Sequence, residues 1–286
     1  MISVGIDVAE ARKGLDLVAL DRRRSVIASR GRLSLRQAVA LALELNPDVV
    51  CIDSPSGWAH EGKSRHSEIA LRKLGITAFS TPTDPGDHPF YRWMRAGFAI
   101  YEALSPAFSI CDGSTIIGTS AEVFPEATAV LLAGRLRDKS VSKRTFRGGI
   151  LKDHGIDADS LPTVDRIDAA LAALTGILAL EGQATYVGDP TEGVILLPVA
   201  RLPNAKLVRS NSGVVEVHEP APTPLGTEKG PIAEATLSKH CECGCGAPVR
   251  RRFLPGHDAK LRSKLLRAEA SGASASQQLD ELGWRT

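Results

Sequence analysis

No apolar run in this 286-residue chain approaches the roughly 20 residues that a membrane-crossing helix needs. The opening MISVGIDVA lacks a basic region followed by an apolar stretch, so the expectation is a cytoplasmic protein with no secretory leader. No segment repeats at a fixed period, which excludes a solenoid or propeller. The net charge is only +2, so attraction for a polyanion has to come from local clustering. Cysteine is scarce, with five residues unevenly placed. Cys51 and Cys111 stand alone in apolar surroundings, as small core residues do. The other three crowd into CECGCG, which in a reducing compartment points to metal before disulfides.

Hydrophobic residues make up 43% and charged residues 24%, the balance of a folded, water-soluble chain. The length suits one sizeable α/β core with an appendage. Residues 2–7 and 14–21 alternate in polarity and 25–32 form a third extended run, and the short gaps between them predict an antiparallel meander. Residues 34–46 predict a helix, with Ser34 as N-cap and Asn46-Pro47 as the stop. Residues 48–53, DVVCID, read as a buried strand parallel to the first. A helix near 64–74, a short strand, a loop over 81–89 and a helix over 91–104 follow. Residues 119–134 predict a strand running into a helix, with Pro125 at an early helical position. A long helix over 163–182 and a strand over 193–198 close the body. Pro, Gly and Thr then dominate without a period, so a linker is expected over 202–235, between a body of 1–201 and a C-terminal module of 236–286.

In this order, Asp7 and Asp53 end adjacent parallel strands at the edge where open α/β sheets bind ligands. Glu122 lies near the end of the next strand, and Glu126 is four residues on. Asp165 and Asp168 share a face at the start of the long helix, beside a core stripe of Ile167, Leu171, Leu174 and Ile177. Carboxylates so crowded repel one another unless cations neutralise them. Hard oxygen ligands favour Mg²⁺ or Mn²⁺, and two such ions about 4 Å apart stabilise the attacking and leaving oxygens of a phosphodiester displacement. The expected site is therefore Asp7, Asp53, Glu122, Asp165 and Asp168, with Glu126 the alternative to Glu122 as ligand.

Five motifs in order, VGIDVA, CIDSP, AEVFPEA, DRIDAALAAL and GVILLP, resemble domain-of-unknown-function family 429, over about residues 1–200. That resemblance implies an RNase H-like α/β fold with a five-stranded mixed sheet flanked by helices, and an acidic metal site for a nuclease. By carry-over Asp7, Asp53, Glu122 and Asp168 would be site residues. Asp165 would add a second helix acid, as in RuvC-type resolvases, which carry Glu where this chain has Asp53.

Two basic regions point to nucleic acid as partner. Residues 135–152 hold seven Lys/Arg and one acid, including Lys143, Arg144 and Arg147. Residues 236–268 carry eight Lys/Arg against Glu242 and Asp258. Within the second region Cys241, Cys243, Cys245 and His257, with His240 as rival, make a ligand set for one Zn²⁺. Arg250, Arg251, Arg252, Lys260, Arg262, Lys264 and Arg267 would surround it. The leading expectation is a metal-dependent nuclease using a two-metal mechanism. The alternatives are a non-catalytic nucleic-acid-binding or adaptor protein and an actin-like-fold phosphotransferase or ATPase. The latter fold needs two related halves and a second Gly-rich phosphate loop, and residues 1–200 contain neither.

Overall fold

The computed structural model describes residues 1–9 and 12–209, the strand residues 239–240 and 248–249, and the helical residues Leu261 and Leu265. The chain divides into two compact units, Met1–Val215 and Glu216–Thr286. Among the described residues no helix is long and apolar enough to cross a membrane.

The first unit opens with the expected meander of β1 (Ile2–Asp7), β2 (Leu15–Asp21) and β3 (Val26–Leu33). Helix α1 (Leu35–Glu44) starts at a reciprocal cap: the Ser34 hydroxyl accepts from the Gln37 N–H and the Gln37 side chain accepts from the Ser34 N–H. It stops where Asn46 turns left-handed ahead of Pro47. Strand β4 (Val49–Asp53) then returns parallel to β1. After α2 (His66–Lys73), α3 (Arg92–Leu104) and the short β5 (Ser109–Ile110) come β6 (Thr119–Val123) and α4 (Pro125–Ala133). Pro125 sits in the first turn of α4, and Gly134 closes it in the left-handed region. The basic run contributes α5 (Lys143–Asp153), capped by Ser142. Helix α6 (Val164–Leu180) and the hairpin of β7 (Thr185–Asp189) and β8 (Gly193–Leu197) complete the unit.

The sheet has eight strands, not five. Its order is β3-β2-β1-β4-β6-β8-β7, with β5 also paired to β6. The β3-β2-β1-β4-β6 portion accounts for the five strands that the resemblance implies, and the strand expected over 193–198 is β8, which pairs parallel to β6. Strand β6 takes two partners on its outer edge, β5 at Thr119–Ser120 and β8 at Glu122–Val123. The edge strand β7 buries only Val187 and so carries no two-sided apolar signal. The short strand expected after α2 is absent; residues 76–82 run irregularly, held by bonds such as Thr81 N–H to the Glu68 carboxylate at 3.0 Å.

Strand alternation sorts the core into two faces. Val4, Ile6, Leu17, Val50 and Ile52 pack with α1 and α3. Ser3, Gly5, Val49 and Cys51 face α6. Helix α6 lies almost directly on the strands: a Cβ on Gly5 would overlap the Ala169 carbonyl oxygen, and one on Gly176 would overlap the Ser3 hydroxyl. Residues 202–209, the opening of the expected linker, lie along the body. Leu207 is buried and its N–H donates to the Leu74 carbonyl at 2.9 Å.

In the second unit β9 (Lys239–His240) pairs antiparallel with β10 (Pro248–Val249). The expected zinc ligands Cys241, Cys243, Cys245 and His257 lie outside the described residues, as do Arg250, Arg251, Arg252, Lys260, Arg262, Lys264 and Arg267.

The close helix–sheet contact predicts an asymmetry between glycines. Gly5→Ala should cost about 2 kcal/mol or more, because a backbone carbonyl cannot move aside. Gly149→Ala, in α5 with open space around it, should stabilise by roughly 0.5–1 kcal/mol. Urea unfolding midpoints of the two variants check both signs.

Candidate active site

Asp7 and Asp53 are direct register partners at the C-terminal ends of β1 and β4. Each continues the strand face that carries Gly5 and Cys51, so both carboxyls point to the α6 side. Because α6 rests on Gly5, its first two turns lie over this edge and deliver Asp168, with Asp165 one turn earlier. A hydrogen bond links the Asp7 and Asp53 carboxyls. Burial raises the Asp7 carboxyl well above the usual carboxylate range, and the charges of Asp53, Asp168 and Asp165 raise it further. Asp7 therefore keeps the shared proton. Burial also lifts Asp53 to about 7, aided by the charge of Asp168 and opposed by its bond from Asp7 and by the charge of Arg147. Burial lifts Asp168 to about 6, with Arg147 opposing.

Arg147 comes from α5, whose Phe146, Ile150 and Leu151 are buried in the core shared with α4 and α6. Its guanidinium bridges the Asp168 carboxylate and Glu126 in the first turn of α4, the latter at 2.6 Å. It holds Asp168 through Oδ2. Asp168 Oδ1 and Arg147 Nε are buried with no hydrogen-bond partner. An unpartnered buried carboxylate oxygen is costly, and it has the chemistry of a cation ligand.

Glu122 stands beside this cluster, lining the same cavity as Asp53 and raising the Asp53 carboxyl by charge, but is held on the other face of the sheet. It pairs in register with Ile52, one residue before Asp53, so alternation turns it to the opposite face of the sheet. There Arg65 grips it through two bonds of 2.5 and 2.7 Å, and the Ser56 N–H adds a third. Arg65 is fully buried and also bonds Glu68 at 3.2 Å. Glu126 is engaged by Arg147 as described. Among the described residues no group of three or more His, Cys, Asp or Glu stands close enough, as arranged, to hold a metal ion.

Of the cationic residues expected to meet nucleic acid in this unit, Arg147 is buried and committed to carboxylates. Arg144 donates to the Leu161 carbonyl at 2.8 Å. Lys143 lines a cavity of about 230 Å³ together with Asp53, Pro55, Phe79, Trp93 and Phe124. Sequence reasoning missed Arg65, whose partners lie 57 and 3 residues away, and Arg166, which ties the start of α6 to Asp16 at 2.6 Å and Ser29 at 2.7 Å. Neither arginine carries a local pattern; only the assembled sheet gives each its partner.

An eight-stranded mixed α/β sheet with an acidic cluster on the edge formed by β1, β4 and α6 defines the class. The sequence profile of the family described as "Protein of unknown function (DUF429)" matches residues 5–192. The chain belongs to that family, as its five motifs suggest. No curated protein matches it. A solved structure described as "Thermus thermophilus RuvC structure" aligns with 66% of this chain and 99% of that chain, at 16% identity and a TM-score of 0.32. A likeness so distant carries no argument.

The raised carboxyls set a pH dependence with a definite sign. Each binds its proton more tightly folded than unfolded, so its contribution to stability is full below about pH 4. That contribution is lost as pH rises through about 6 for Asp168 and about 7 for Asp53. Metal-free protein should therefore be less stable at pH 8 than at pH 5. Asp53→Asn should flatten this slope and stabilise at pH 8 by on the order of 2 kcal/mol. Urea unfolding at the two pH values measures it; a wild-type midpoint that climbs with pH would contradict the electrostatics.

Proposed function

We propose that this protein is a nuclease that hydrolyses phosphodiester bonds of DNA or RNA with Mg²⁺ or Mn²⁺, at a site formed by Asp7, Asp53 and Asp168 with Asp165 at its rim. The observation that carries the reading is the buried, unpartnered Oδ1 of Asp168 beside the in-register pair Asp7–Asp53. The donors are all hard oxygens on three different elements, which suits these ions over softer ones. When bound, two such ions would supply charge neutralisation at the attacking and leaving oxygens of a displacement at phosphorus.

The chain's own residues do the rest. Asp7 and Asp53 give up their shared proton and present two carboxylates from rigid strand ends. Asp168 offers Oδ1 while Arg147 holds Oδ2, so the carboxylate cannot rotate freely. Glu126 holds the other side of that guanidinium. Lys143, at the same cavity as Asp53, is placed to receive a phosphate oxygen. Glu122, bound to Arg65, props β6 and the Ser54–Ser56 turn from the opposite face.

A second reading, a nucleic-acid-binding protein without catalysis, draws support from the two arginines. Arg147 and Arg65 already neutralise Asp168, Glu126 and Glu122 with protein cations. Labelled DNA and RNA incubated with Mg²⁺, Mn²⁺ or EDTA separate the readings. Cleavage that needs the ion, and that falls by about two orders of magnitude or more in Asp168→Asn, is the expected result. Binding without cleavage under every ion would favour the second reading.

The C-terminal segment is read as a small basic module held by one Zn²⁺ on Cys241, Cys243, Cys245 and either His257 or His240. Elemental analysis should find about one zinc per chain, lost in Cys243→Ser. Truncation after residue 235 should weaken nucleic-acid binding in a salt-dependent way. Protein that is free of zinc as purified and takes up none would remove the module from the proposal.

A further inference from the structure

The chain has only three Trp, three Tyr and seven Phe, yet Trp58, Phe79, Phe90, Tyr91, Trp93 and Phe98 all fall between β4 and the middle of α3. This is not a core. Phe79 is 59% exposed and Phe90 39% exposed. Phe79 meets Phe90 at 5.3 Å and 67°, and Trp93 at 6.1 Å and 65°. Edge-to-face contacts of this kind fix the ring planes, setting one ring's edge against its neighbour's face, and Phe79 remains the most exposed of the three rings. Phe79 and Trp93 line the cavity of about 230 Å³ that also holds Asp53 and Lys143. The rest of that wall is apolar at Val8, Ala78, Met94 and Val123, and its floor carries Ser54, Thr81 and the ion-paired Arg65, Glu68 and Glu122.

Exposed apolar rings beside a catalytic carboxylate suit a ligand that has a flat π-face next to an anion. Arg92 and Arg95 stand exposed on the same helix as Trp93, and the Arg95 guanidinium lies 5.4 Å above the Trp58 ring. Such a rim fits a polyanion carrying planar groups. In a duplex both faces of each base are covered by its neighbours, so a wall of this kind can be met only by a base released from the stack.

We infer that the Phe79–Trp93 cavity takes one unpaired nucleobase of a single-stranded DNA or RNA segment, with the adjoining phosphate directed to Lys143 beside Asp53. The inference rests on the nucleic-acid reading above and adds the state of the strand at the site. The ring face of Phe79 supplies stacking, which tolerates any base, so strandedness and not sequence is what the cavity selects.

The test uses the full chain in EDTA, where no cleavage confuses binding, and fluorescence anisotropy of three labelled probes. These are a single strand, the same sequence as a duplex, and an abasic strand of equal length. Wild type should bind the single strand about tenfold tighter than the abasic strand. Phe79→Ala should erase that preference, while Phe79→Trp, which keeps a ring, should preserve it. Because Phe79 is exposed, neither variant threatens the fold. Equal binding of the abasic strand, a preference for the duplex, or an unchanged preference in Phe79→Ala each overturns the base cavity alone. Failure of all three probes to bind overturns the nucleic-acid reading and the cavity with it.

Discussion

The contact on which the rest depends is the seating of α6 on Gly5. Helices normally stand off a sheet by the length of the side chains between them. Here Gly5 on the strand, and Ala169, Ala173 and Gly176 on the helix, remove that spacer. The helix therefore crosses β1 and β4 at near-backbone contact. Its first turns are carried to the strand ends, where the charge of Asp168 comes near enough to raise Asp7 and Asp53. Arg166 pins the same end through Asp16 and Ser29 on β2 and β3. A larger residue at Gly5 would lift the helix, opening the carboxylate cluster and parting Ala172 from Val49 and Cys51.

Around this seat the sheet edge carries acid on both faces, and the two faces are handled differently. On the α3 side Glu122 receives a two-pronged Arg65 and a backbone N–H, which satisfies it fully. On the α6 side burial raises the carboxyls of Asp7, Asp53 and Asp168, which have one arginine among them and an oxygen without a partner. Burying charge without full compensation costs stability, and proteins retain such arrangements where a ligand completes them. The contrast between the faces, within one strand edge, is the reason to place function on the α6 side.

Much of this was legible in the sequence because the relevant signals are local. ISVGID and DVVCID announce parallel strands ending in aspartate, and the spacing of Asp165 and Asp168 fixes a helix face. Ser34, Pro125 and the turn at Asn46 mark helix ends by the chemistry of capping and of φ. Glu122 shows the limit. Its nearness to a strand end was readable, but the face it takes depends on register with β4, and a shift of one residue reverses it. Arg147 shows the complement. A basic run reads as a surface for phosphate, yet Phe146 and Ile150 turn this one arginine inward, and only the packed helices reveal it.

Arg147 at first sight competes with any cation for Asp168. The geometry resolves the competition, because a carboxylate has two oxygens and the guanidinium takes one. Oδ2 is spent on Arg147; Oδ1 faces no donor. A positive group fixed on Oδ2 lowers the charge that a second cation must neutralise, and it also prevents the carboxylate from turning both oxygens toward solvent. Glu126 balances the arginine, so the pair adds little net charge to the site. The arrangement therefore fixes the carboxylate while leaving one of its oxygens without a partner. On the proposed reading, a ligand oxygen of fixed orientation suits a hydrolytic centre better than one free to turn.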